Sequence, residues 1–303
     1  MATAAPARAL SAAAFATLLL IALMMGANHV AARLAFNNGV DVATAVVCRS
    51  FITASVLAVL IAVQRAQLTF TARHKRMLPV IGLLIGVQSL CLYSAVARLP
   101  VALALLAFNT YPIWAAVWSA LIYRKPPEKA LLRAMPVILV GLALALDVFG
   151  ATSGLGASGQ WARIGAGVAF ALAAAATFGL AMVMTQHEVG DVDGRIRSAT
   201  TMGMAGLVGL AMVTTQGGFH LPTAPIGWVG LGTLTFLYGT AFSIMFTVLP
   251  RLGVVGNSAI MNVEPVFALV LAWLVLGQAI APVQVAGALL VVGAVMVLGL
   301  RKK

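Results

Sequence analysis

Charged side chains are scarce. Asp, Glu, Lys and Arg together make up 9% of the chain, against about 25% in an ordinary soluble domain. That excludes a soluble globular protein. Cysteine is scarcer still: Cys48 and Cys91 are the two present, both inside apolar runs and without metal or redox spacing. They read as small core residues. The four histidines, at positions 29, 74, 187 and 220, are scattered and form no metal cluster. No G-x-S-x-G or H-E-x-x-H pattern occurs, and no cluster of His and Asp, so the usual catalytic layouts are missing. No metal and no cofactor is expected.

What is present is apolar: 62% of the 303 residues are hydrophobic. A spanning helix takes about 20 apolar residues. Ten such helices with short loops would use up the chain. The apolar runs predict spans at 11–35, 42–63, 77–97, 100–123, 129–148, 162–185, 196–215, 226–248, 252–276 and 281–299. The first is too long for a signal peptide. The expected fold is therefore an all-α integral membrane protein of ten transmembrane helices in the lipid bilayer. "GLGASG" (154–159) matches a dinucleotide fingerprint, but it joins two spans rather than a strand and a helix. It reads as a flexible loop.

The net charge of +12 would suit a nucleic-acid partner, yet the charges cluster in loops between apolar runs. That is the pattern of cytoplasmic loops, so no nucleic acid is expected. With the N-terminus placed in the cytoplasm, that side holds fifteen of the 19 Lys and Arg. Arg33, Arg98 and Arg163 fall on the other side, and Arg49 falls within a span. The bias puts both termini in the cytoplasm.

The chain also repeats itself. At an offset of 153 residues, "ARLPVALALLAFNTYP" (97–112) lies over "PRLGVVGNSAIMNVEP" (250–265). Asn109 then meets Asn262, Pro112 meets Pro265, and Gly26 meets Gly179. The halves are 1–148 and 162–303, joined by an outer loop at 149–161. Each has five predicted helices. Five is odd, so the second half enters the membrane from the opposite side, as two inverted five-helix repeats. That plan is common in secondary transporters.

"EPVFALVLAWLVLG" (264–277), followed by "VQVAGALLVVGAVMVLG" (283–299), resembles the second signature of the drug/metabolite transporter superfamily, EamA type. "MMGANHVAAR" (24–33) and "CRSF" (48–51) are similar to its first-half signatures. The resemblance covers the whole chain. It implies a ten-helix exporter in the bacterial inner membrane, similar to bacterial aromatic amino-acid exporters, acting on a small-molecule substrate as a monomer. The chain departs from a Leu-Gly-Glu that many relatives carry after the fourth and ninth helices. Those places read Tyr123-Arg124-Lys125 and Leu276-Gly277-Gln278 here.

Glu264 precedes Pro265 deep inside an apolar run. A proline removes a backbone donor and clashes one turn back, so Pro112 and Pro265 predict kinks, with Asn109 and Asn262 as bracing residues. Features shared by both halves are most simply scaffold. Tyr111 and Glu264 differ at equivalent places and are better candidates for substrate chemistry. Glu264 lies ~18 Å from the cytoplasmic end at ~1.5 Å per residue, near the midplane. Ionisable groups there are functional by default. Asn257 is expected on nearly the same face. Arg49 lies ~12 Å from the outer surface and either snorkels to headgroups or braces its helix.

Tyr111, Trp114 and Trp118 form one helical stripe. It either packs against neighbours or walls a cavity for an apolar or aromatic substrate. Asn28, His29, Gln88, Tyr93 and Tyr238 are further candidate polar contacts. Glycines in "MGMAGLVG" (202–209) and "GALLVVGAVMVLG" (287–299) predict close helix packing. The leading function is export by alternating access. A membrane-embedded enzyme would change its ligand chemically, and a passive channel would show no saturation or counterflow.

Overall fold

The computed structural model describes residues 11–65, 70–127, 129–251 and 259–301. Eleven α-helices follow in order: α1 (Ala12–Phe36), α2 (Val42–Val63), α3 (Ala72–Arg98), α4 (Val101–Phe108), α5 (Tyr111–Tyr123), α6 (Lys129–Ala145), α7 (Gly156–Glu188), α8 (Gly194–Thr215), α9 (Pro225–Arg251), α10 (Glu264–Leu276) and α11 (Pro282–Arg301). One 3-10 turn, Ala259–Val263, leads into α10. No strand occurs among the described residues. Seven segments are long and apolar enough to cross a membrane, counting α4 and α5 as one; Ile260–Leu276 and Pro282–Val297 are shorter apolar helices.

Polar caps start the helices where loops meet apolar runs. Ser11 accepts from the Ala14 amide. Asp41 accepts from that of Thr44 at 2.7 Å. Thr71 and His74 form a reciprocal capping box. Each satisfies an amide that the first helical turn leaves unpaired.

The predicted spans differ from the helices at three places. The 100–123 span is not one bent helix: α4 ends at Phe108 and α5 begins at Tyr111. Pro112 and Pro265 are the second residues of α5 and α10. A proline costs nothing there, because the first-turn amides lack intrahelical partners anyway. At Pro112 the kink is a break between α4 and α5, whereas at Pro265 the 3-10 turn runs directly into α10. Residues 252–258, including Asn257, lie outside the described residues. The third difference is the outer loop, which ends early. Gly156 already opens α7, so the last four residues of "GLGASG" are helical. The rest is tied down. The Asp147 carboxylate accepts from the amides of Thr152 and Ser153, which hold it below the usual carboxylate range. Gln160 donates to the Leu146 carbonyl at 3.0 Å.

Three helix starts in the second half follow those in the first at one offset. Ala72 and Pro225, Tyr111 and Glu264, and Lys129 and Pro282 are each 153 residues apart. Packing follows the same exchange. α3 lies on α7 and α1 on α9, while α2 pairs with α8 and α6 with α11. Small residues set these distances. A Cβ on Gly287 would stand 2.5 Å from the Gly141 carbonyl oxygen, and one on Gly206 would stand 2.8 Å from the Phe51 ring. Gly203 and Gly293 of the same predicted motifs face open space. The glycine stripes thus mark the seams only in part.

Candidate functional site

Glu264 is the first residue of α10. Its Oε1 lies 3.3 Å from Nε2 of His29 on α1. Gly26, one turn earlier on α1, allows this approach. A Cβ there would sit 3.1 Å from both the Glu264 carbonyl oxygen and the Ala268 amide nitrogen. The glycine lets the α10 backbone rest on α1, and that seats the carboxylate beside the imidazole. His29 is 3% exposed, and the Glu264 side chain is 21% exposed.

The chain of contacts continues inward. The His29 ring meets Tyr93 edge-on, with centroids 5.7 Å apart. Tyr93 is completely buried, and its hydroxyl donates to Asn28 Oδ1 at 3.0 Å. The Arg49 guanidinium lies over two rings, 4.6 Å from the centroid of Tyr93 and 4.0 Å from that of Tyr238. Its Nη2 donates to Ser89 Oγ at 2.7 Å, and Ser89 in turn donates to Gln88 Oε1. Four helices and the head of a fifth converge here: α1, α2, α3, α9 and α10.

Arg49 does not snorkel. It is 3% exposed, and no carboxylate pairs with it among the described residues. A cation at a helix centre costs about 2.5–3.5 kcal/mol on insertion scales. A desolvated ring face returns about 2 kcal/mol, so two rings roughly offset the burial. They do not pair every N–H donor at the guanidinium edge. Arg49 Nε has no hydrogen-bond partner; neither have Asn28 Nδ2, His29 Nδ1, Ser50 Oγ and Thr53 Oγ1. Buried polar atoms are normally paired, and three of these five belong to residues that touch Tyr93, which marks a place built for something polar.

A second group forms around Tyr111. Its ring packs between Phe108 and Phe178, and its hydroxyl donates to Asn262 Oδ1 at 3.3 Å. Asn262 therefore joins the two broken spans to each other. Asn109 caps α4 through its backbone, and its side-chain Nδ2 is buried and unpaired, so no bracing bond forms there. The aromatic stripe divides. Trp118 is pinned by its Nε1 donating to the Ala176 carbonyl. Trp114 lies on the α5–α7 seam, where a Cβ on Gly179 would stand 3.0 Å from its Cβ.

Of the residues singled out in the sequence, Asn28, His29, Gln88, Tyr93, Tyr238 and Glu264 join one network. Tyr111 sits in the neighbouring aromatic group. Sequence reasoning missed Arg49 as the centre, and with it Ser89 and Phe178. The signal for Arg49 was its charge within a span; nothing in the sequence marked the other two. No group of three or more His, Cys, Asp or Glu is arranged for a metal among the described residues. A polar cluster at the other end of α3, α5 and α7 joins Arg73 to Glu188 at 2.7 Å and Tyr123 to Glu188 at 2.6 Å. Arg73 is 56% exposed, and exposed pairs contribute about 0–1 kcal/mol, so this cluster reads as local bracing.

An apolar multi-helix bundle with a buried polar network at its broken helices defines a multi-pass membrane transporter of small solutes. The chain belongs to the EamA-like transporter family, whose model matches residues 12–146 and again residues 165–300. No curated protein matches the chain. A solved structure described only as the crystal structure of a protein is 17% identical, covers 94% of this chain and 97% of its own, and superposes with a TM-score of 0.60. That likeness concerns the fold alone.

Proposed function

We propose that this transporter exports small metabolites, aromatic or apolar amino acids foremost, from the cytoplasm across the bacterial inner membrane by alternating access. The observation that carries the reading is the Glu264–His29 contact, 3.3 Å across the two halves of the chain, at the start of a broken helix. Broken helices at the interface of repeats are where secondary transporters place their substrates. The carboxylate draws a substrate ammonium, and the Tyr111, Phe108 and Phe178 rings suit an apolar side chain.

The two halves act as inverted repeats. Support comes from the 153-residue offset of three pairs of helix starts and from the family match, whose copies begin at 12 and 165. Such halves can exchange shapes around the central network. In the conformer described, Val101 to Ala107 of α4 are all buried, whereas α5 has no buried residue. The Val101 amide donates to Gln278 Oε1 at 3.1 Å. This contact ties α4 to the loop after α10, at the outer end in the proposed topology.

The test is uptake of labelled amino acids into proteoliposomes, with and without a proton gradient. Saturable flux and counterflow of an aromatic amino acid are expected, with the ligand recovered unchanged. Flux without saturation would indicate a channel, and a chemically altered ligand an enzyme.

A further inference from the structure

We infer that Arg49 is an anion-binding residue, and that the ligand of the central network carries a carboxylate or a similarly compact anionic group, which binds at the guanidinium edge. This deepens the export reading and rests on it for the location of the site.

The argument starts from what Arg49 lacks. Its charge is buried at 3% exposure, and its side-chain partners, Ser89 Oγ and Tyr93, are neutral hydroxyl-bearing groups. Tyr93 and Tyr238 lie against the guanidinium. They meet its charge through their π-faces, and neither supplies the carboxylate that would neutralise it. Nε is left without a partner. A guanidinium presents these donors as a planar fork that matches a carboxylate.

The second observation concerns the surroundings. Asn28 and His29 both touch Tyr93, on which Arg49 also rests. Asn28 Nδ2 is a buried donor without a partner. On α2, Ser50 and Thr53 add hydroxyls that are also buried and unpaired. Thr53 follows Arg49 by one helical turn, on the same face. Two of these atoms, Arg49 Nε and Asn28 Nδ2, can only donate, and the hydroxyls can donate as well, which is the polarity an anion requires. The Glu264 carboxylate pairs with His29 rather than with Arg49, which leaves the guanidinium without an ion-pair partner.

The experiment measures thermal unfolding of the purified full chain with four probes that share one phenyl group: L-phenylalanine, 3-phenylpropionate, phenylalaninamide and phenethylamine. The two carboxylates are expected to raise the Tm, and the two amines without a carboxylate are not. Arg49→Gln is expected to weaken the carboxylates about tenfold or more, as loss of a charged hydrogen-bonding partner does. Arg49→Lys keeps the charge without the fork and is expected to fall between. Ser89→Ala leaves the arginine in place and guards against a misfolded Arg49 variant; it is expected to weaken the carboxylates several-fold.

Equal shifts with the amide and amine, unchanged carboxylate affinity in Arg49→Gln and Ser89→Ala, or no carboxylate-dependent shift in the wild type would each overturn the inference. The two readings fail separately. Binding of 3-phenylpropionate without phenylalanine would keep the anion site and remove the amino-acid reading. Phenylalanine and its amide binding alike would do the reverse.

Discussion

Arg124 and Gly277, 153 residues apart, end α5 and α10 in the same left-handed conformation, at φ of 54° and 64°. The cap amide of each donates to its own helix, to the Ser119 and Ala272 carbonyls, again 153 residues apart. This is the place of the Leu-Gly-Glu pattern that the chain keeps only in part. A glycine adopts that conformation without strain, whereas an L side chain meets the following carbonyl. Arg124→Gly is therefore expected to stabilise the protein by about 1 kcal/mol and Gly277→Ala to destabilise it by about as much. Thermal unfolding of the two variants checks the sign. A loss of stability in Arg124→Gly would mean that its charge outweighs its strain.

The glycine seams supply a ranking. A Cβ at Gly179 would lie 2.7 Å from the Ala115 amide nitrogen, and one at Gly26 would lie 3.1 Å from that of Ala268. Backbone cannot yield as a side-chain tip can, so overpacking there costs about 1–3 kcal/mol. Gly179→Ala is expected to destabilise more than Gly26→Ala. Gly203→Ala and Gly293→Ala meet nothing within 4 Å and should gain about 0.5–1 kcal/mol from helix propensity. Equal effects at all four sites would contradict the packing described.

Topology is open to direct labelling. In a background lacking Cys48 and Cys91, a cysteine at Ser153 is expected to react with an impermeant thiol reagent outside cells, and one at Arg73 is expected to be spared. Both positions are exposed, so burial cannot explain a difference between them. The reverse pattern would remove the orientation and the inverted repeat together.

Trp114→Ala addresses substrate selectivity. If Trp114 walls the cavity, transport of aromatic substrates should fall several-fold more than that of aliphatic ones, since aromatic contacts add about 0.5–1.5 kcal/mol. An equal loss for all substrates, matching a drop in protein abundance, would assign it to the α5–α7 seam alone.

Glu264→Gln keeps the shape of the α10 start and removes its charge. The variant is expected to reach the membrane at normal levels and lose affinity for amino acids or the pH dependence of transport. His29→Gln should produce a related defect, because His29 holds the carboxylate at 3.3 Å. Unchanged affinity and an unchanged pH profile in Glu264→Gln would leave the carboxylate as a brace for the helix start.

The membrane class, the placement of most helices and the 153-residue offset could be read from the sequence alone. Each rests on local hydropathy or on a pattern repeated along the chain, and the bilayer forces apolar runs into helices whatever their neighbours. The candidate residues Glu264, His29, Tyr93 and Tyr238 were legible too, because polar groups stand out in an apolar span. Their partners were not. Arg49 could snorkel or brace on sequence grounds, and its place on two tyrosines from α3 and α9 depends on how distant helices pack. The same holds for Tyr111 and Asn262, which meet across 151 residues. Proline spacing likewise announced a disturbance at Pro112 and Pro265, and only the tertiary structure decided its form, a break at Pro112 and a passage from 3-10 turn to α-helix at Pro265. A new helix can begin beside a proline only where surrounding helices or water take up the freed backbone groups, and those surroundings come from the rest of the fold.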